Sequence, residues 1–387
     1  MRIVRNQVLF ALAAASAAAL AWTGFVSHAP NRLVSGRAMA LWQAAPAAAV
    51  VGIAGGVLAL LILSLLPQHR PLRAFAMAIG AGLILLALAA AGEAAAGLID
   101  PAHPAARTSL GPAAWTLVLC AALAIVDAVQ RLNARPLMRM LVAAGMALAV
   151  GALLASGRLD ALSLLREYAN QHDAFARELA RHAALVFAAL APAVAIGTPV
   201  GVLVARRPAL GQGVYAGLNL LQTIPSVALF GILIAPLSAL AAAFPVLAAI
   251  GVQGIGFFPA MLALVLYALL PVVRNTQAGL MAVDPAVIEA ARGMGLAPGQ
   301  IFWRVELPLA LPVFLAGVRI VLVQTIGLAV VAALIGAGGL GTFVFQGIGQ
   351  YATDLVLLGA VPTIVLALAA DLVMRMLVEL AGRRRSP

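Results

Sequence analysis

The residues able to do chemistry in this chain are few, and their spacing limits what that chemistry can be. The stretch from Asp284 to Pro312, DPAVIEAARGMGLAPGQIFWRVELPLALP, holds carboxylates, two arginines, several glycines and internal prolines between apolar runs long enough to cross a bilayer. A polar, well-punctuated segment in that position must face water on one side, where it can touch a soluble partner. Elsewhere reactive groups are scattered. His28, His69, His103, His172 and His182 show neither metal-ligand spacing nor a catalytic constellation, and Cys120 lies alone inside an apolar run. The 24 basic residues are all arginine. Without lysine there is no P-loop to hold ATP phosphates and no Schiff base. The chain is therefore expected to be no enzyme and to need no cofactor or metal.

The elements that position these groups follow from composition. Of 387 residues, 64% are hydrophobic and 10% charged, against about 25% charged in a soluble domain. Repeated continuous apolar runs of about 20 residues match a hydrocarbon core of about 30 Å, and helices satisfy their own backbone in lipid. The expected fold is all-α and polytopic, with about ten transmembrane helices. In the first half they fall at Val8–Val26, Ala45–Leu66, Ala74–Leu98, Ala113–Val129 and Met140–Ala155. The first reads as an uncleaved signal anchor, because it exceeds a usual signal core and the cleavage context Ser27-His28-Ala29 precedes Pro30. The second half predicts spans at Ala183–Ala205, Tyr215–Pro236, Pro259–Val273, Val313–Ile335 and Leu355–Val378, with Leu237–Phe258 a re-entrant or outer piece. Residues 156–181 form a charged linker in which Leu159, Leu162, Leu164 and Leu165 recur at helical spacing, as in an amphipathic segment on the membrane surface or an ordinary outer loop.

Intramembrane charge is sparse. Glu93 sits near a span end, within reach of headgroups. Asp127 precedes Arg131, and Asp371 precedes Arg375, by four residues, so each pair can close along a helix face. With the N-terminus inside, 17 arginines fall on inner segments and 7 on outer ones, including Arg2, Arg32, Arg384 and Arg385. Positive-inside bias thus places both termini and Asp284–Pro312 in the cytoplasm. It also accounts for the net charge of +11 without nucleic acid.

Within the cytoplasmic stretch, Asp284-Pro285 is a helix start, and Glu289 lies early in that helix, where a carboxylate suits the dipole. Gly293 and Gly295 let the chain leave it, Pro298 opens a second short helix through Trp303, and Leu307-Pro308 returns the chain toward the membrane.

The spacing Glu289-Ala290-Ala291, Gly295, then Val305-Glu306-Leu307-Pro308 resembles the EAA loop of permease subunits of binding-protein-dependent ABC importers, with Val305 where the family usually has Ile. The resemblance covers about residues 178–379. Leu221 to Ser226 and Val273 to Thr276 are similar to the osmoprotectant branch, which serves glycine betaine, choline and related compounds, in its longer form with extra N-terminal spans. It implies a type I, MetI-like permease core at 182–379, an accessory region at 1–155 and a basic tail at 380–387. It also implies an inner-membrane location and three partners: a cytoplasmic ATPase dimer, a second permease of the same or another kind, and a periplasmic binding protein. Glu289, Ala290, Ala291, Gly295, Val305, Leu307 and Pro308 would dock the ATPase. Gln222, Thr223, Pro225, Ser226, Asn275 and Thr276 are candidates for the translocation pathway or for helix–helix hydrogen bonds, and Pro225 is expected to kink its span. The rival readings are an ion-coupled secondary transporter of a small zwitterion, which would need buried coupling carboxylates, and an ABC permease for an amino acid.

Overall fold

The structure, a computed structural model, describes residues 4–31 and 34–383. Arg2, Arg32, Arg384 and Arg385 lie outside the described residues, as do the side chain of Arg383 and the rest of 384–387, while residues 380–383 of the expected tail finish the last helix. Among the described residues nine helices are long and apolar enough to cross a membrane, and the apolar helix Gln7–Trp22 is shorter. The chain divides into two compact units, 1–170 and 171–387, each with its own buried apolar cluster.

The first unit contains α1 (Gln7–Trp22), α2 (Ala47–Leu65), α3 (Arg70–Gly97), α4 (Pro112–Arg131) and α5 (Pro136–Ala155). Asn6 caps α1 by accepting from the Leu9 N–H at 3.1 Å, and its amide donates to Asp127 at 2.8 Å. Asp127 also pairs with Arg131 at 2.9 Å, as the four-residue spacing predicts. The backbone N–H groups of Arg5 and Asn6 both donate to the Ser64 carbonyl, which satisfies an orphan acceptor at the end of α2. Alanines 87, 90, 91 and 94 of α3 and 113, 114, 121 and 124 of α4 are buried. Small faces let helices approach closely where lipid offers no hydrophobic drive to associate. Glu93 is exposed on α3.

One feature departs from the all-helical expectation. The stretch around the candidate cleavage context is strand β1 (Val26–Ala29), centre of a small antiparallel sheet with β2 (Arg37–Met39) and β3 (Arg107–Leu110). The first apolar span therefore ends at Trp22, not Val26. The turn there is made by Gly24 and Gly111: a Cβ on Gly111 would lie 2.2 Å from the Gly24 carbonyl oxygen. That contact lets Gly24 and Phe25 accept from the free N–H groups of Ala113 and Gly111 at the start of α4.

Leu159 and Leu162 of the charged linker are buried in this unit's core. Helix α6 (Ser163–Arg206) begins directly after them and is interrupted at Gln171 (φ −117, ψ 16), where the two units divide.

The second unit continues with α7 (Pro208–Thr223), α8 (Ser226–Ala243), α9 (Phe257–Met281), α10 (Pro285–Gly293), α11 (Leu307–Val331), α12 (Gly341–Gly349) and α13 (Thr353–Arg383). The expected span Tyr215–Pro236 is corrected by two helices broken at Ile224-Pro225. Proline holds the preceding residue out of the helical region, and Ile224 is extended (φ −73, ψ 124). Pro225 is thus the N-cap of α8 instead of a kink within one helix. The expected re-entrant piece Leu237–Phe258 also divides. Its first residues finish α8, Pro245–Ala249 is a short helix, and positive φ at Gly251 and Gly256 shapes the loop into α9. Helix α9 extends to Met281, past the anticipated end at Val273.

Helices α6, α9 and α11 meet through glycine. A Cβ on Gly201 would sit 2.6 Å from the Thr276 Cβ, and one on Gly317 2.2 Å from the Asn275 Cβ. The Gly317→Ala variant should overpack the α9–α11 contact and cost on the order of 2 kcal/mol. A lower thermal midpoint in detergent checks this; an unchanged midpoint contradicts the packing described.

Candidate functional site

The polar stretch builds as its sequence dictates at its start. The Asp284 carboxylate accepts from the Ala286 N–H at 2.9 Å and Pro285 occupies the first turn of α10; such a cap contributes about 1 kcal/mol. Glu289 and Ala290 are exposed, whereas Ala291 is buried. Gly295, at φ +81, reverses the chain, and Leu296 returns its N–H to the Ala291 carbonyl at 3.2 Å. Only a residue without a Cβ enters that backbone region freely.

The second half of the stretch differs from expectation. Pro298–Ile301 is helical, but the helix does not stop at Trp303. It passes through a π-turn at Phe302–Glu306 directly into α11. The Leu307 N–H bonds to the Phe302 carbonyl, five residues back. This wider turn accommodates Pro308, which lacks an N–H and would crowd the carbonyl four residues earlier in a regular helix. Val305 and Leu307 are half-buried and Pro308 is exposed.

Glu306 anchors the base of this loop. Its side chain is 5% exposed and takes a two-pronged ion pair from Arg206, the last residue of α6; Nη1 donates to Oε1 at 3.0 Å and Nη2 donates to Oε2. The Arg206 guanidinium also lies 5.9 Å from the centre of the Phe302 ring. A fork-to-carboxylate pair fixes orientation as well as distance. The loop's base is thereby tied to a membrane helix a hundred residues earlier, while α10 stands outward. The available signal was a carboxylate set in the Val305-Glu306-Leu307-Pro308 run where the chain re-enters the membrane, but sequence could not say which of many arginines meets it. A crevice of about 650 Å³ lies beside the pair, lined by Arg206, Ile288, Arg292, Ile301, Phe302 and Glu306 among others.

The pathway candidates fall into two groups. Gln222, Thr223, Pro225 and Ser226 sit together at the α7–α8 break. Gln222 donates to the Tyr267 carbonyl at 2.6 Å, the Tyr267 hydroxyl donates to the Ile224 carbonyl, and Thr223 bonds back to Leu220 at 2.7 Å. Tyr267 was not singled out by sequence, yet it clasps the break from both sides. Asn275 and Thr276 lie about 12 Å further along α9. Their polar atoms bond to Pro271 and Val272 on their own helix, at 2.7 and 2.8 Å, and their side chains pack on Gly317 and Gly201. The neighbouring residues reach across to α7 instead. Arg274 donates to Asn219 at 2.9 Å, and Gln277 accepts from Tyr215.

Asp371 is paired with Arg375 at 2.7 Å, as expected from spacing, and also with Arg319 of α11 at 2.5 Å. A carboxylate held by two arginines ties helices together. Asp354 lies at the start of α13, accepting from the Leu355 N–H at 2.9 Å.

Comparison with known proteins now decides the family. Residues 4–165 match the family described as ABC transporter permease YehY, N-terminal domain, and residues 197–382 match the family described as binding-protein-dependent transport system inner membrane component. The chain is 38% identical over 191 residues to the carnitine transport permease protein OpuCB of Listeria monocytogenes, covering 49% of this chain and 80% of the relative. It is 41% identical over 191 residues to the osmoprotectant import permease protein OsmW of Salmonella typhimurium, covering 49% and 84%. It is 35% identical over 218 residues to the glycine betaine/carnitine/choline transport system permease protein OpuCD of Bacillus subtilis, covering 56% and 88%.

The chain belongs to the permease family of binding-protein-dependent ABC importers. The permease's matched core begins within α6 and ends within α13, so both partners of the Arg206–Glu306 pair lie in the family's own portion. The preceding helices α1 to α5 and the small sheet belong to the separately matched N-terminal domain. Breaking the ion pair from one side should be costlier than removing both halves. Arg206→Ala leaves a buried carboxylate without its cation, at a cost on the order of 2 kcal/mol. The Arg206→Ala/Glu306→Ala double variant should recover part of that loss. Thermal midpoints of the two single variants and the double variant measure the coupling; strictly additive losses contradict it.

Proposed function

We propose that this permease is the transmembrane subunit of an ATP-driven importer for glycine betaine or related quaternary ammonium osmoprotectants. A cytoplasmic ATPase dimer docks on Glu289, Ala290, Ala291, Gly295, Val305, Leu307 and Pro308, a periplasmic binding protein delivers substrate, and a second permease completes the pathway. The observation that carries this reading is the exposed, capped helix α10, presenting Glu289 and Ala290 outward from a base anchored through Glu306 to Arg206. Such a loop can pass a push from a soluble partner to α6 and α11 together, because both meet at its base. The relatives named for osmoprotectant, carnitine, choline and glycine betaine transport support the substrate class. A chain without lysine supports placing ATP hydrolysis on another subunit.

In this reading the arginine distribution puts both termini and the loop in the cytoplasm and the spans in the bacterial inner membrane. Residues 182–379 form the transporting core, 1–155 an accessory region joined by the 156–181 linker, and 380–387 a basic tail. Gln222, Thr223, Pro225 and Ser226 at the helix break, with Asn275 and Thr276 beyond them, contribute polar atoms along the route. Uncharged groups let a zwitterion pass without trapping it.

Uptake of labelled glycine betaine, competed by choline, proline and an amino acid, tests the substrate class in cells with and without this permease. Glu289→Arg should reduce that uptake more than about tenfold, since a cation facing a basic partner costs several kcal/mol, while membrane insertion stays normal. Unimpaired uptake in that variant would remove the docking assignment.

A further inference from the structure

At the end of the core remote from the docking loop, one face of α6 is closed against the glycine turn between α11 and α12. His182 and Arg206 are 24 residues apart on α6, about 36 Å along a helix, more than the roughly 30 Å hydrocarbon thickness. The two ends of this segment therefore lie at opposite membrane faces. On the far end Phe175, Glu178 and His182 are spaced three and four residues apart, on one side of the helix. Each meets the segment from Gly338 to Phe343. Phe175 stacks on Phe343 with ring centres 6.2 Å apart. Glu178 Oε2 accepts from the Gly339 N–H at 2.5 Å and lies 3.4 Å from the Thr342 hydroxyl. His182 is fully buried beside Gly339.

The turn is built to receive these groups. Gly336, Gly338 and Gly339 all have positive φ. A Cβ on Gly338 would fall 2.6 Å from the Arg181 side chain and 2.9 Å from the Glu178 carboxylate; one on Gly339 would fall 3.1 Å from the His182 ring. The Arg181, Glu178 and His182 side chains of α6 rest directly on this glycine backbone, and the strongest contact is one carboxylate on one N–H. A seam whose polar hold is one carboxylate at a backbone turn, beside one aromatic stack and one buried imidazole, can part and reclose without unfolding either helix.

Resting on the importer reading above, we propose that this seam is the substrate-side gate of the permease, shut in this structure, and that Glu178 is its latch. Glu178 acts as a positioning residue. It holds the Gly338–Thr342 turn against α6 until the push delivered at the opposite end of α6 separates them. The closed seam blocks access along α6, and its release opens the side from which a binding protein would deliver substrate.

The test reports opening directly and needs no substrate. In a Cys120→Ala background, Phe343→Cys places a thiol at a position that is 2% exposed. Its labelling by a membrane-impermeant maleimide, applied from the side opposite the docking loop, follows the seam. With the full chain assembled with its ATPase, Mg-ATP should speed labelling. Adding Glu178→Ala should raise the ATP-free rate about tenfold, the effect of losing one charge-assisted bond on an opening equilibrium. Glu178→Gln keeps an acceptor oxygen and should label nearly as slowly as the parent. Equal rates in all three forms, or labelling indifferent to ATP in the parent, overturn the gate. Should Glu178→Ala fail to insert, the ATP dependence in the parent decides alone. Absence of glycine betaine uptake by the unmodified permease would sink the importer reading, whereas an ATP-indifferent seam in a permease that does take up substrate sinks only the gate.

Discussion

A helix that breaks inside a hydrocarbon layer must find its missing hydrogen bonds within the protein, because lipid offers none. The second unit is arranged around this constraint. Pro225 ends α7 by removing an N–H and by holding Ile224 extended, and the carbonyl this frees is met by the Tyr267 hydroxyl while Gln222 binds the Tyr267 carbonyl. The break costs little because α9 supplies both a donor and an acceptor at its level. A family member that moves solute needs polar atoms where the spans are apolar. Backbone groups satisfied in this way let a proline break sit among apolar spans without burying a charge.

The same reasoning explains why the charged groups sit where they do. Glu306 and Asp127 each face an arginine that ends a helix, Asp371 faces Arg319 of α11 and Arg375 of its own helix, and each carboxylate links segments distant in sequence or closes one helix turn. None is left as a lone carboxylate of the kind ion coupling would use. Glu306 is the most consequential, because its partner Arg206 ends α6 and its own residue closes the π-turn opening α11. Glu306 thus joins the base of the loop to two membrane helices at once. Gly201 and Gly317 seat the Thr276 and Asn275 side chains of α9 directly on the backbones of α6 and α11.

Much of this was legible in the sequence. The membrane class, the Asp284 cap, the Asp127–Arg131 and Asp371–Arg375 pairs and the family follow from local spacing, and local spacing is what a sequence displays. What was not legible depends on distant partners or on competing backbone geometry. Tyr267 looks like any residue in an apolar run until the α7–α8 break is placed beside it. Arg206 is one arginine among many until Glu306 chooses it. The small sheet escaped because strands of three or four residues are too short to show alternation. The π-turn escaped because Leu307-Pro308 reads as a stop, whereas a widened turn lets the helix carry the proline through. The docking surface and the route for solute were read from the family resemblance.

The account depends most on α10 being the place where an ATPase meets this chain. A photo-reactive residue at Val287, 42% exposed beside Glu289, tests that contact in intact cells, with a second at Leu148, 74% exposed on α5, as the comparison. The account predicts that Val287 captures a protein carrying a P-loop lysine and that Leu148 does not. Capture of no such ATPase from Val287, in cells where the permease is inserted and transporting, would contradict it.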